Sequence, residues 1–511
     1  MSFMKNVWGL VAAVLSGVLL AMCYPGVGVD GLVWVWAVPV MAALWVFGNK
    51  NAQNGKRVKW RGFGLGWLCG MAFWVINVSW LKSMGDLDGV PAGAAIFAWL
   101  GLSAYLSIYF GIWGAVLASV GNPWKESDSL TDSNKEKKKS RVELLVEEKM
   151  MASDEKSALA LSGGKLGGRF QGGVKESFKT MRFALLAASL WVFLEWLRGY
   201  LFTGFGWSGV GVAFHDNATM AQSADLVGVI GLSFLPMLMC AMVVQLVRRM
   251  VCEARAGKFK PHYEIAMTVG LVALAFVYGV VKIGQYKNAE SIDVKVVLLQ
   301  ENLSQTLKWG DEAQQSMNYQ SYADSLDAKL EDLTRQSHAE ARERAVKSGG
   351  EAEAEDLTPD LVLMPESSFT QGMVFVEDFG NVHLTDLDNH FLGHDLLRGR
   401  GFSVIYGSNL YQGKVVNSEV HPMLQGKGSD YNVIAVAGPD AQRRNELGYY
   451  SDLSIYGKVH LVPFGEFVPD IPFRETIYGA IYGVDPQSAF AAGTSFDPLV
   501  LDVNGQKVGV I

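Results

Sequence analysis

Three stretches place an ionisable side chain at the end of an apolar run, the position from which a carboxylate or an amine can be offered to a reacting group. In Leu361-Val362-Leu363-Met364-Pro365-Glu366-Ser367-Ser368, four residues suited to a buried strand are followed by proline. Proline cannot donate to a ladder, so the strand stops and Glu366 is left at its end. Such a glutamate is either a general base or a solvated surface residue. In the run from Lys458 to Pro469, KVHLVPFGEFVP, Lys458 and Glu466 stand among apolar residues, Pro and Gly. Charge in that setting calls for a partner, and either a rim ion pair or a catalytic pair would supply it. In the third stretch, Glu301 to Trp309, Trp309 read alone is a packing anchor.

Other candidates carry less. Strand period places His460 on the same face as Lys458, where a structural hydrogen bond is expected of it. Glu195 and Arg198 are three apart on an apolar helix and can pair, or Arg198 can snorkel to the interface. The four cysteines, Cys23, Cys69, Cys240 and Cys252, lie in or beside apolar runs at spacings that suit neither a zinc site nor a disulfide framework. They are expected to pack, no metal or cofactor is expected, and nothing after Cys252 can act as a thiol nucleophile.

The elements that must position these residues fall into two kinds. Half of the 511 residues are apolar and only 19% are charged, which points to a membrane class. A bilayer core of about 30 Å needs ~20 apolar residues. Seven stretches qualify or come close: 7–23, 31–48, 62–81, 92–119, 182–203, 224–247 and 264–284. The first could be a signal peptide, but Met22 is too bulky for a lipoprotein cleavage box and more spans follow, so an uncleaved helix is expected. Lys50, Lys56, Arg57, Lys59 and Arg61 crowd one loop, and Arg248, Arg249, Arg255, Lys258 and Lys260 crowd another against Glu253 alone. Both loops are therefore expected in the cytoplasm, with everything after about residue 285 outside. Domain boundaries follow at 1–284 and 291–511, with 121–180 expected as a disordered cytoplasmic insert of mixed charge. The net charge of −7 gives no reason to expect nucleic acid as a partner.

From Ser291 the pattern changes to short β-branched runs between polar helical segments, which indicates a layered α/β or α+β domain. Strands are expected at 294–299, 361–364, 403–406, 432–436, 499–503 and 508–511, the last pair joined by Asn504-Gly505. One or two surface helices with a loose extension are expected over 312–355.

Taken together, the stretches resemble the bacterial apolipoprotein N-acyltransferases, membrane members of the nitrilase or carbon-nitrogen hydrolase superfamily. KVHLVPFGEFVP is the most specific match, supported by LMPESS around Glu366, QENLSQTLKW ending at Trp309, EWLRGYLFTGFGW from Glu195 to Trp207 and FAAGTSFDPL from Phe490 to Leu499. The resemblance implies an αββα nitrilase-like sandwich outside the cytoplasmic membrane. It also implies a Glu/Lys/Cys triad in which Glu366 is the general base, Lys458 steadies the oxyanion, Glu466 is a second acidic residue near the nucleophile and Trp309 lies near the acyl pocket. The implied substrates are a phospholipid acyl donor and a diacylglyceryl-modified apolipoprotein, joined through a cysteine thioester. Gly457 departs from the pattern, standing where these enzymes often carry a polar residue.

The resemblance further implies a cysteine directly after a hairpin like Leu499 to Ile511. The sheet domain is therefore expected to be incomplete and the cysteine to follow Ile511 in the complete protein, which would leave these 511 residues inactive by themselves. Two other readings stand beside acyl transfer: a membrane-anchored amidase of the same superfamily, and a non-catalytic scaffold.

Overall fold

The structure is a computed structural model. It describes residues 2–46, 55–86, 91–119, 157–257, 259, 261–289, 291–300, 302–303, 305–308, 312–348, 351, 353–354, 356–376, 381–384, 396, 400–416, 423–426, 431–437, 454–462, 466–467, 490–503 and 506–510. Trp309, residues 121–156 of the expected insert and the Asn504-Gly505 turn lie outside the described residues. The chain divides into two compact units, one built from Met1–Asp86 and Pro91–Ala289, the other from Glu290–Ile511.

The first unit is helical: α1 (Ser2–Ala21), α2 (Val38–Val46), α3 (Gly55–Asn77), α4 (Ala92–Ser119), α5 (Ser157–Arg198), α6 (Ala218–Ala221), α7 (Ala224–Leu232), α8 (Phe234–Ala256) and α9 (Tyr263–Lys287). Among the described residues, four helical stretches are long and apolar enough to cross a membrane: Ala92–Ser119, Gly173–Arg198, Phe234–Ala256 and Tyr263–Lys287. The other expected spans differ for local reasons. The described apolar part of α1, Val7–Ala21, is short. The second stretch is split into a 3-10 turn at Asp30–Trp34 and α2, whose second residue is Pro39, a residue that suits a helix start and cannot continue one. Helix α3 carries Lys56, Arg57, Lys59 and Arg61 in its first two turns. The sixth is interrupted at Gly228, where φ is 69°, and resumes as α8. Helix α5 begins at Ser157, so residues 157–180, expected as part of a disordered insert, are helical.

Small residues let α3 and α4 approach closely. A Cβ on Gly66 would stand 2.1 Å from the Phe110 carbonyl oxygen, and one on Gly62 would stand 2.5 Å from that of Gly114. Trp36, Trp74 and Trp113 fill the interior, with Trp36 and Trp113 each 5.2 Å from the Trp191 ring. Three of the cysteines are buried and Cys252 is half-buried, and none is in a disulfide. Cys23 Sγ donates to the Leu19 carbonyl and Cys240 Sγ to that of Trp34.

The second unit is a layered sheet domain. Its strands are β1 (Val296–Leu298), β2 (Leu361–Leu363), β3 (Phe369–Val376), β4 (Asn381–Leu384), β5 (Ser403–Val416), β6 (Met423–Gly426), β7 (Tyr431–Ala437), β8 (Ser454–Gly457), β9 (Leu499–Val503) and β10 (Gln506–Val510). Helices α10 (Gln305–Lys308) and α11 (Glu312–Ser348) follow β1. Strands β1 to β8 form one mixed sheet among the described residues. β1, β2 and β5 run parallel, and β5 and β7 pair antiparallel from Val404↔Ala437 to Leu410↔Tyr431. β9 and β10 form a separate antiparallel pair.

Alternation along the strands builds both faces. Val362, Met364, Val404 and Tyr406 join Tyr319, Tyr322, Ala323 and Leu326 of α11 in one core, the helical residues recurring at three- and four-residue spacing. Leu361 and Ile405, one residue out of phase, pack with Leu501 and Val503 of the hairpin on the other face. The order of layers is helix, sheet, hairpin. Strands β3, β4, β6 and β8 were not expected from sequence, and β5 runs far beyond the four residues expected of it.

Candidate functional site

Glu366 stands where β2 stops. Met364 still hydrogen-bonds from its N–H to the Ile405 carbonyl at 2.8 Å, and the chain then turns through Ser367, whose φ is 52°. The turn lies directly on β5: a Cβ on Gly407 would come within 2.6 Å of the Ser367 nitrogen and 2.7 Å of the Glu366 Cα. Only glycine leaves that space. Lys308, at the end of α10, donates from Nζ to the Glu366 carbonyl at 2.8 Å, while Asn318 of α11 holds the Leu307 carbonyl at 2.8 Å.

Lys458 follows β8 directly. Its N–H donates to the Asn432 carbonyl of β7 and its own carbonyl accepts from Gly493, both at 2.8 Å. A Cβ on Gly493 would stand 2.2 Å from the Gly457 carbonyl oxygen. The departure noted at Gly457 is thus part of a glycine-on-glycine crossing, where FAAGTSFDPL passes across the end of β8. Glu466 is fixed by Val462, whose N–H donates to Oε2 at 2.7 Å, and by its own N–H to the Val462 carbonyl at 2.9 Å.

The three charged side chains meet. Lys458 Nζ lies 3.0 Å from Glu366 Oε1 and 2.8 Å from Glu466 Oε1. Their side chains are 29%, 61% and 11% exposed respectively, so Glu466 is the carboxylate withdrawn from solvent and Glu366 the one offered to it. A fourth residue, which sequence reasoning missed, completes the group. Asn432 Nδ2 donates to Glu366 Oε1 at 2.5 Å and to Glu466 Oε1 at 2.6 Å. The only sequence signal was a polar residue in the run Tyr431-Asn432-Val433, which becomes informative once β7 is seen to start beside Lys458.

Burial works against the charge on Glu366, but the hydrogen bonds from Lys458 and Asn432 and the charges of Lys458 and Lys308 outweigh it and hold the carboxyl below the usual glutamate range. Burial likewise opposes the charge on Lys458, and its bonds to Glu466 and Glu366 reverse that and raise the amine. Lys308 is lowered by partial burial, against the pull of Glu366. At neutral pH the site therefore presents an ionised carboxylate with an open side and a cation at hydrogen-bond distance. This pair can take up a proton and steady a developing oxyanion.

His460 is exposed and lies beyond the end of β8, so the strand period used to place it beside Lys458 does not apply. Glu195 and Arg198 are both buried and neither snorkels. Glu195 Oε1 accepts from the Val210 N–H at 2.8 Å, while Arg198 Nη2 donates to the Trp207 carbonyl at 2.9 Å with its guanidinium 4.8 Å from the Trp74 ring centroid. They fasten the loop after α5. Among the described residues, no group of three or more His, Cys, Asp or Glu side chains is arranged to hold a metal ion.

A sequence model of the family described as "Apolipoprotein N-acyltransferase N-terminal domain" matches residues 16–131 and 158–242, within the helical unit. Three curated relatives named "Apolipoprotein N-acyltransferase" extend the likeness. That of Geobacter metallireducens is 24% identical over 516 residues, covering 98% of this chain and 71% of the relative. That of Shewanella oneidensis is 24% identical over 478 residues, covering 93% and 67%. That of Bradyrhizobium diazoefficiens is 28% identical over 288 residues, covering 56% and 44%. The chain thus spans between under half and about seven tenths of the length of these relatives.

Proposed function

We propose that this chain, which belongs with the apolipoprotein N-acyltransferases by the matches above, serves to move a fatty acyl group from a phospholipid to the N-terminal amine of a diacylglyceryl-cysteine apolipoprotein. The observation that carries the reading is Lys458 Nζ held at 3.0 and 2.8 Å between Glu366 and Glu466, with Glu366 open to solvent. In the proposed scheme a cysteine thiol gives its proton to Glu366, and the thiolate attacks the ester carbonyl of the donor. The tetrahedral oxyanion faces the Lys458 ammonium. As it collapses, the lysophospholipid alkoxide leaves with the proton returned by Glu366, and the acyl group remains as a thioester. The acceptor amine then attacks the thioester, loses its proton to Glu366, and the proton passes to the departing thiolate. All four cysteines belong to the helical unit, so the described part of the sheet unit supplies the base and the cation of this scheme and not its thiol.

Trp309 is assigned to the acyl side of the site and Glu466 to the acidic neighbour of the nucleophile. The sheet domain is taken as a nitrilase-like sandwich. The helix, sheet and hairpin layers and the strand-end position of the charged group support that assignment. The basic start of α3 supports a cytoplasmic loop there and a sheet unit facing the periplasm of the inner membrane. Protease added to spheroplasts should cleave the sheet unit; protection until the membrane is broken would reverse the orientation.

The test of function is mass spectrometry of lipoprotein N-termini in cells whose only copy of the gene is at its native locus. Glu366→Gln and Lys458→Met should each abolish N-acylation, a loss of at least about 100-fold for removing such a group. N-acylation at the unaltered level in either variant would remove the reading.

A further inference from the structure

Asn432 is buried on β7 and paired in register with Asn409 of β5. Its side-chain nitrogen has two N–H donors, and both are spent on carboxylate oxygens: Glu366 Oε1 at 2.5 Å and Glu466 Oε1 at 2.6 Å. Lys458 Nζ reaches the same two oxygens at 3.0 and 2.8 Å. Amide nitrogen, amine nitrogen and two oxygens therefore form a closed four-membered ring of hydrogen bonds. Among the described residues the charged groups around it are Lys458 after β8, Glu466 from the following turn, Glu366 after β2 and Lys308 from α10.

That ring has a chemical consequence. Two carboxylates brought to common donors repel, and one would ordinarily take up a proton. A second lysine in place of Asn432 would suppress this, but would bind the base so strongly that it no longer accepts a proton from a reactant. An amide donates twice without adding charge. Among the described residues the hydrogen bonds on the Glu366 carboxylate fall on Oε1, which leaves Oε2 for a proton in transit. Lys458, among the described residues, spends two N–H groups on the carboxylates, which leaves a third for an oxyanion.

We infer that Asn432 is the positioning residue of this site: its amide clamps the Oε1 atoms of Glu366 and Glu466 around Lys458 and keeps Glu366 an ionised base with one free oxygen. The inference rests on the reading of Glu366 as the base, and it separates Asn432 from a merely structural asparagine by what it does to protonation. Asn432→Asp keeps the shape and adds a third carboxylate. Asn432→Ala removes both donors. Either change raises the pH at which Glu366 loses its proton, and a base that must be ionised then fails first on the acid side.

Two measurements decide it. The first is the pH–rate profile of phospholipid-dependent acyl transfer by enzyme purified from the native locus. The second is the pH-difference infrared spectrum of the 511-residue chain in lipid nanodiscs, the Glu366 carboxyl band being identified by its loss in Glu366→Gln. In Asn432→Asp the acid limb and the infrared titration should both move up by roughly one pH unit or more. Asn432→Ala should move them the same way by less, with little change in KM for the phospholipid. Loss of rate by the same factor at every pH, with the infrared titration unmoved, would overturn the inference and leave Asn432 structural. A wild-type enzyme with no acyl transfer would instead overturn the proposed function, and the infrared titration would still decide the role of Asn432.

Discussion

Four side chains, Glu366, Asn432, Lys458 and Glu466, share one set of hydrogen bonds, and their coupling sets a pH signature. Glu366 is held below its ordinary range, so its interactions add stability above the unfolded carboxyl value of about 4.3 and are lost as the pH falls through the lower folded value. Lys458 is raised, so its contribution is fully present below about 10.4 and is lost as the pH rises through the higher folded value. Melting of the purified chain followed against pH should therefore show losses at both extremes. Glu366→Gln should remove the Glu366 share of the acid loss, and Lys458→Met should remove the Lys458 share of the alkaline loss. An acid limb of the same size in Glu366→Gln would show that the carboxyl titrates alike in the folded and unfolded chain. Glu366, Lys458 and Glu466 could be singled out from KVHLVPFGEFVP and LMPESS because each is a charge set at the end of, or within, an apolar run, and the structure brings the three side chains together. Asn432 was not legible, since one polar residue in a strand has no signature until its partners are known.

At the level of elements, the site depends on places where one backbone lies on another. Gly407 carries the turn of Glu366 on β5, and Gly493 crosses Gly457 at the end of β8. A methyl group at Gly407 must push the Glu366 backbone outward, because its nearest neighbours are main-chain atoms at 2.6 and 2.7 Å. Gly407→Ala should cost about 1–3 kcal/mol in thermal stability, in the range of overpacking. It should also lower acyl transfer far more than a distal change of equal cost, because a displacement of about 1 Å can reduce rate about 100-fold. Equal activity in Gly407→Ala and wild type would show that the turn has room to relax. The β-branched strands and α11 followed from residue type and period. Strands β3, β4, β6 and β8 did not, because their pairing with β5 and β7 depends on neighbours distant in sequence.

At the scale of the molecule, each unit has its own interior, and the helical one contains an ionic group that sequence had counted differently. Arg249 was one of the positive charges of a loop. In the structure it is buried, 2.8 Å from Glu253 and 2.6 Å from Glu264, with His262 bonded to Glu264 at 3.1 Å and Ser177 Oγ donating to Glu264 at 2.5 Å. The cluster ties α5, α8 and α9 together at one end of the helical unit. Arg249→Met would take the guanidinium from two buried carboxylates that also contact His262, and it should cost about 3–5 kcal/mol. The yield of folded protein in membranes should fall accordingly, and Arg249→Lys should restore part of it. An unchanged melting midpoint in Arg249→Met would show that the cluster is hydrated.

What the sequence determined by itself was local or cumulative. Apolar composition and run length make the membrane unit, alternation makes the strands, and proline ends β2 before Glu366. The motifs KVHLVPFGEFVP and LMPESS singled out three of the charged residues, Glu366, Lys458 and Glu466. What only the tertiary structure decided was every juxtaposition across the chain: Asn432 between Glu366 and Glu466, Gly407 beneath the turn, Gly493 across Gly457, and Arg249 turned inward. The physical reason is range. Periodicity and turn chemistry act over a few residues, whereas a hydrogen bond between residues 366 and 432, or between 366 and 458, exists only after the sheet has brought β2, β7 and β8 into place.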